Sequence, residues 1–245
     1  MKLTITDDRA VDSLVWYSMN HRAAIADWAA KQFAAATSDA DRISLAIEVF
    51  EKFIASVEDL EMLYFALRDR VSNVSVSFLS QYATVFIREE GKTGPQRAQS
   101  AAEILRQLGG MDHEQFQAAL GLPTAGEYHG IFKQGQGSLS DAEAEYGRVL
   151  EAHRLAMMQA VQNRATPELM GAYNKIKHGF VVMRPPNQSG AFMVREVTSA
   201  SPTSSTIDGT EYAPTADRLA QLVDNTKRVA QLAREILTLQ SRRLP

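Results

Sequence analysis

The chain contains no cysteine. That excludes disulfides, a thiol nucleophile and any thiolate metal site, and it is compatible with a reducing compartment. An excess of one charge sign is also lacking: 26 Lys and Arg stand against 29 Asp and Glu, a formal net charge of -3. That balance gives no general attraction to nucleic acid or an anionic membrane, and leaves only local patches for either. No apolar run approaches the ~18 residues of a membrane-spanning helix. The opening MKLTITDDRAVDSL has no apolar core of signal-peptide length and turns acidic at Asp7 and Asp8, so no secretory signal is expected. The default expectation is a cytoplasmic protein that does not enter a membrane.

Several chemical motifs are missing as well. No GxGxxG follows a strand, and Gly91-Lys92-Thr93 lacks the upstream glycines of a phosphate loop. There is no HExxH. Asp112-His113-Glu114 and Glu151-Ala152-His153 lack the three- or four-residue spacing that puts metal ligands on one helix face. No Glu-x-x-His pair supports a di-iron bundle. No metal and no cofactor are expected.

What is present is helical periodicity. With 245 residues, of which 45% are hydrophobic, the chain can bury a sizeable core in one domain spanning 1–245. A first helix is predicted over 8–33, on Val11, Leu14, Val15, Ser18, Ile25, Trp28, Ala29 and Phe33. His21 interrupts that face as either a base or a buried, satisfied residue. The second helix is the clearest element. Ile43, Ile47, Phe50, Ile54, Val57, Leu60, Tyr64, Leu67 and Val71 step along one side. Such a helix, roughly 45 Å long, serves as a bundle spine. Glu48, Glu51, Glu58 and Glu61 are placed beside or behind this stripe, on a solvated face. Val71–Glu90 mixes strand-favouring residues with a helical face, and helix is the preferred reading.

A helix over 96–108 and a short one over 111–120 follow. Residues 121–139 carry glycines and Pro123 without periodicity, and read as a long loop. Ser140 and Glu143 resemble a capping box that opens a helix through Tyr146, Val149, Leu150, His153, Met157, Ala160 and Val161. Thr166-Pro167-Glu168 opens another, ending near His178-Gly179. Residues 180–197 carry two apolar runs about Pro-Pro-Asn, a β-hairpin signal. A Ser/Thr-rich connector over 198–214 leads to the last helix, from Thr215 to about Gln240, on Leu219, Leu222, Val223, Thr226, Val229, Ala233, Ile236 and Leu237. The predicted fold is mainly α: a multi-helix up-and-down bundle with a small β-hairpin inserted before the last helix.

The stretch Tyr173-Asn174-Lys175-Ile176-Lys177-His178-Gly179 is the one candidate for chemistry. Asn174 and His178 are four apart and share a helix face, Lys175 is three before His178, and Tyr173 lies beside it. A neutral imidazole there could take a proton while a lysine stabilised a phosphate, a set suited to RNA cleavage through the ribose 2′-hydroxyl. The same residues also suit a helix end: Lys and His favour the C-terminal dipole, and Gly179 terminates.

This late-helix stretch resembles the corresponding helix of the HEPN (higher-eukaryote and prokaryote nucleotide-binding) superfamily. Its signature is an Arg, four to six residues, then a His, commonly with a polar residue directly after the Arg. His178 matches the histidine, Asn174 matches the polar residue, and Tyr173 occupies the arginine position of the four-residue spacing. The nearest upstream arginine is Arg164. The likeness covers about Glu143–Gly179. It implies an all-helical domain, often dimeric, in a superfamily many of whose members are ribonucleases of defence or RNA-processing systems. With the arginine missing, the expected function is a non-catalytic helical assembly or partner-binding protein, a homodimer or one bound to another protein, in a bacterial defence or regulatory system. Two alternatives stand beside it. One is a metal-independent ribonuclease centred on His178, with Asn174, Tyr173 and Lys175. The other is an unrelated structural or regulatory bundle whose hairpin edge adds a strand to a partner.

Overall fold

A computed structural model describes residues 19–165, 182–183, 191–200, 205–212 and 215–241. Eight helices are present among them: α1 (His21–Ala35), α2 (Asp39–Val71), α3 (Phe78–Glu90), α4 (Gly94–Gly109), α5 (His113–Leu120), α6 (Ala125–Phe132), α7 (Leu139–Arg164) and α8 (Ala216–Ser241). The mainly helical class expected from periodicity is therefore observed. Between α7 and α8 the backbone also carries β1 (Val182–Met183), β2 (Ala191–Ala200) and β3 (Ser205–Tyr212), antiparallel in the order β1-β2-β3. Val182 pairs with Met193 and Ala191 with Tyr212. β3 runs within the stretch read from the sequence as a connector. The Pro-Pro-Asn turn lies outside the described residues.

α2 starts where Ser38 accepts the Asp41 amide at 3.0 Å, with Asp39 and Asp41 in its first turn and Arg68 and Arg70 in its last. Each placement suits the helix dipole. The sequence predicts a spine with one apolar side. Instead α2 packs against α1, α3, α5, α7 and α8, so from Phe53 to Leu67 it is buried almost all round. Asp59, Glu61 and Ser56 are inside together with Phe53, Leu60 and Leu63. This corrects the solvated face assigned to Glu58 and Glu61. A central helix has no solvent side over its middle turns, so its charges must find partners.

α1 also differs from expectation. Its buried residues are Ala23, Ala26, Ala29 and Phe33, whereas Trp28 is 56% exposed. Small alanines admit close approach of α1 to α2, and the apolar cluster of Ala26, Ala29, Phe33, Ala46, Val49, Leu219 and Val223 joins α1, α2 and α8. His21 is exposed rather than buried. The part of the first helix predicted before residue 19 lies outside the described residues.

The preferred helix over Val71–Glu90 is interrupted. Residues 72–77 form a turn, and α3 restarts at the Ser77 cap, which accepts the Ser80 amide at 3.2 Å. Serines and Asn73 bond locally to backbone; Asn73 donates to the Asp69 carbonyl at 3.3 Å. Such bonds compete with helix continuation. The long loop over 121–139 likewise contains α6. Thr124 accepts the Glu127 amide, and Glu127 accepts the Thr124 amide at 2.6 Å, a capping box. Tyr128 then stacks on Tyr146, with ring centroids 4.3 Å apart. Residues 121–124 and 133–138 stay irregular, and in the second stretch Gln134, Gly135 and Gly137 take positive φ. α7 begins earlier than the Ser140–Glu143 box suggested, because Ser138 accepts the Asp141 amide at 3.1 Å.

Candidate functional site: a charged cleft between α2, α3, α4 and α7

The buried face of α7 runs through Tyr146, Leu150, His153, Met157 and Val161. The next position at that spacing is Arg164, the last residue of the helix. Its side chain is 1% exposed. Helical continuity thus carries a cation into the interior, where α2 meets it. Arg164 Nη1 lies 2.6 Å from Glu61 Oε1 and 2.5 Å from Oε2, and its Nη2 donates to Glu58 Oε1 at 2.9 Å. Glu58 Oε1 also accepts from Arg97 Nη1 of α4 at 3.0 Å. Arg97 further donates to the Lys92 and Glu90 carbonyls, at 3.3 and 3.2 Å. Beside this set, Lys92 Nζ reaches Glu89 at 2.8 Å and Ser100 at 2.6 Å.

Glu58, Glu61, Glu89, Arg97, Ser100 and Arg164 line a cleft of ≈ 70 Å³, with Met62 and Phe86 as its apolar wall. Burial pushes the Glu61 carboxyl up, to about 7, against the attraction of Arg164. Desolvation pulls the Arg164 guanidinium down, but Glu61 and Glu58 outweigh it and the net shift is upward. Removing either partner of such a pair strands a charge in the interior, which costs several kcal/mol. A general base needs an oxygen free to face a substrate proton, yet both Glu61 oxygens sit against Arg164. The arrangement is a latch, holding the end of α7 to α2 and, through Glu58 and Arg97, to α4.

A second pair, buried at Asp59 and half-buried at Arg22, supports the same core. Arg22 Nε of α1 lies 2.9 Å from Asp59 Oδ2 of α2. Burial raises the Asp59 carboxyl to about 6 despite Arg22. It also raises the Tyr82 hydroxyl, with the Asp59 charge adding to the effect. At the α7–α8 contact, buried His153 meets Glu235 Oε2 through Nε2 at 2.8 Å. Glu151, two residues before His153, instead pairs with Arg154. Asp112 caps α5 through the Gln115 amide at 2.8 Å. The two acid–histidine stretches are thus occupied by capping and pairing. Among the described residues no group of three or more His, Cys, Asp or Glu could hold a metal ion, and no helix is long and apolar enough to cross a membrane.

Tyr173, Asn174, Lys175 and His178 lie outside the described residues. The nearest arginine upstream of them, Arg164, is committed to Glu61 and Glu58. The charged cleft itself was not anticipated from the sequence. Its signal was available: Arg164 stands where the buried α7 spacing demands an apolar residue, three after Val161. Glu58 and Glu61 are likewise three apart on the helix with the broadest apolar surface.

No family model, no characterised protein and no solved structure matches this chain.

Proposed function

We propose that the chain is a non-catalytic helical protein that works by assembly or by binding a protein partner. One observation carries this reading. Among the described residues the exposed large hydrophobics are Trp28, Val71, Val74, Leu79, Phe86, Ile87, Leu139 and Leu155. Most of them fall within 71–87, at the end of α2, in the turn after it and on α3. Scattered exposed apolar residues need no explanation, whereas a concentration in one stretch of chain marks an interaction surface. The charged cleft agrees with a structural role, since its arginines and its buried carboxylates are paired with one another.

The HEPN-like likeness of Tyr173–Gly179, the β-hairpin as an elaboration of the bundle, and a cytoplasmic place in a bacterial defence or regulatory system belong to this proposal. With Tyr173 at the arginine position, the motif lacks its cation, and the nearby Arg164 is held by carboxylates. The test is an RNA-cleavage assay of the purified chain beside His178→Ala, on mixed RNA with a chelator present. Equal, background-level products support the reading. Cleavage by the natural sequence that His178→Ala abolishes would overturn it in favour of the ribonuclease.

A further inference from the structure

α7 and α8 run antiparallel. His153 meets Glu235, and further along α7 Asn163 opens on the same crevice as Asn225, which lies earlier on α8. This crevice of ≈ 60 Å³ shares no lining residue with the charged cleft. Phe53 of α2, Ala160 of α7, and Val229 and Leu232 of α8 give it an apolar floor, and all four are buried. A small alanine at 160 leaves open the space that a larger side chain would fill.

The rim is polar: Gln159 and Asn163 on α7, Asn225 and Arg228 on α8. Asn163 and Asn225 are half-buried, whereas Gln159 and Arg228 are exposed. Among the described residues none of these four side chains has a hydrogen-bond or ion-pair partner, and no acidic side chain lines the crevice. The arginines of the charged cleft, by contrast, are held by Glu58 and Glu61.

A carboxamide carries one acceptor and two donors in a plane, and so complements a peptide unit. Gln159 and Asn163 stand one turn apart on α7, with Cβ atoms roughly 5–6 Å apart. Two residues of an extended chain advance about 6.6 Å, so this pair reaches successive peptide units along one edge of such a chain. Asn225 faces the opposite edge. Arg228 supplies one cation. One guanidinium balances one carboxylate in a bidentate pair, whereas a phosphate monoester carries roughly two charges and leaves one uncompensated. A helical ligand is unsuited, because its main-chain groups are already bonded within the helix.

We infer that the crevice between α7 and α8 binds the carboxy-terminal residues of an extended peptide, with Arg228 on the terminal carboxylate and Gln159, Asn163 and Asn225 on the main chain. The apolar floor takes the last side chain. The inference rests on the partner-binding reading above and gives that partner a chemistry, a free extended C-terminus ending in an apolar residue.

Because the contacts are to carboxylate and main chain, one probe peptide suffices. N-acetyl-alanyl-alanyl-valine is titrated into the isotope-labelled full chain and followed by backbone amide shifts. Saturable shifts are expected along 156–163 and 225–232. The same peptide with its carboxylate amidated is expected to bind roughly ten-fold or more weakly, and so is the acid to Arg228→Met. Arg218→Met, at another exposed arginine of α8, is expected to bind as the natural sequence does, with circular dichroism verifying that both variants are folded. Absence of saturable shifts, equal binding of acid and amide, or binding that Arg228→Met leaves untouched overturns the inference. Tighter binding of uridine monophosphate to the same residues overturns it in favour of a nucleotide. The failure of the partner-binding reading itself is read separately, as His178-dependent RNA cleavage.

Discussion

Replacing Arg164 with Met keeps the length of the side chain and deletes its charge at the most buried end of α7. Glu58 keeps Arg97 at 3.0 Å, but Glu61 loses the guanidinium that sits against both its oxygens. One-sided removal of a buried pair costs about 3–5 kcal/mol, and that range is the expected loss near pH 8. The pH dependence discriminates further. Glu61 has a folded pKa raised from 4.5 to about 7. The folded state therefore holds a proton that the unfolded state releases, and stability falls as pH rises from about 4.5 through about 7. At ~1.4 kcal/mol per pKa unit that rise corresponds to something on the order of 3 kcal/mol. Without Arg164 the carboxyl rises further. The variant then loses more than the natural sequence at pH 8, and the gap narrows at pH 5.5, where Glu61 is protonated in both. Denaturant unfolding at the two pH values measures this, with the slope compared to confirm a common transition. A variant within about 0.5 kcal/mol of the natural sequence at pH 8, well inside the range expected for a buried pair, would refute the latch. So would a gap that is the same at both pH values.

Smaller perturbations test the local arguments. Ser38→Ala removes the acceptor for the Asp41 amide and is expected to cost about 1 kcal/mol in denaturant unfolding. Tyr128→Ala removes the ring stacked on Tyr146. It should cost about 1–2 kcal/mol and raise hydrogen exchange across 125–138 selectively; a uniform rise would indicate that α6 does not dock as an independent piece. Gly121 ends α5 at φ 60°, so Gly121→Ala should destabilise by about 1 kcal/mol, again read by denaturant unfolding.

Helix existence was legible in the sequence, and the interior of the fold was less so. α8 and α7 bury most of the residues their periodicity names: Leu219, Val223, Val229, Ile236 and Leu237 on one, Tyr146, Leu150, His153 and Met157 on the other, with Leu222 and Val149 half-buried. Periodicity reports one face at a time, so it could not reveal that α2 is enclosed by five neighbours and that Glu61 lies inside. For the same reason Trp28 was placed inward by its spacing, whereas α1 packs through alanines. Capping chemistry located α6 where composition suggested only loop: Thr124 and Glu127 carry the box. Of the glycines that argued against structure, Gly126 and Gly130 lie within α6 and Gly135 and Gly137 serve the turn after it. The buried arginine was readable as a charged residue at an apolar position of α7, but its partners lie more than a hundred residues earlier, at Glu58 and Glu61. Spacing along one helix cannot supply such a pairing.

Assembly is tested most directly by the molar mass of the intact chain in solution, followed by sedimentation equilibrium over a wide range of protein concentration. The account predicts a mass that rises with concentration from the 27.1 kDa of one chain toward twice that value. A mass fixed at 27.1 kDa across the whole range would contradict it.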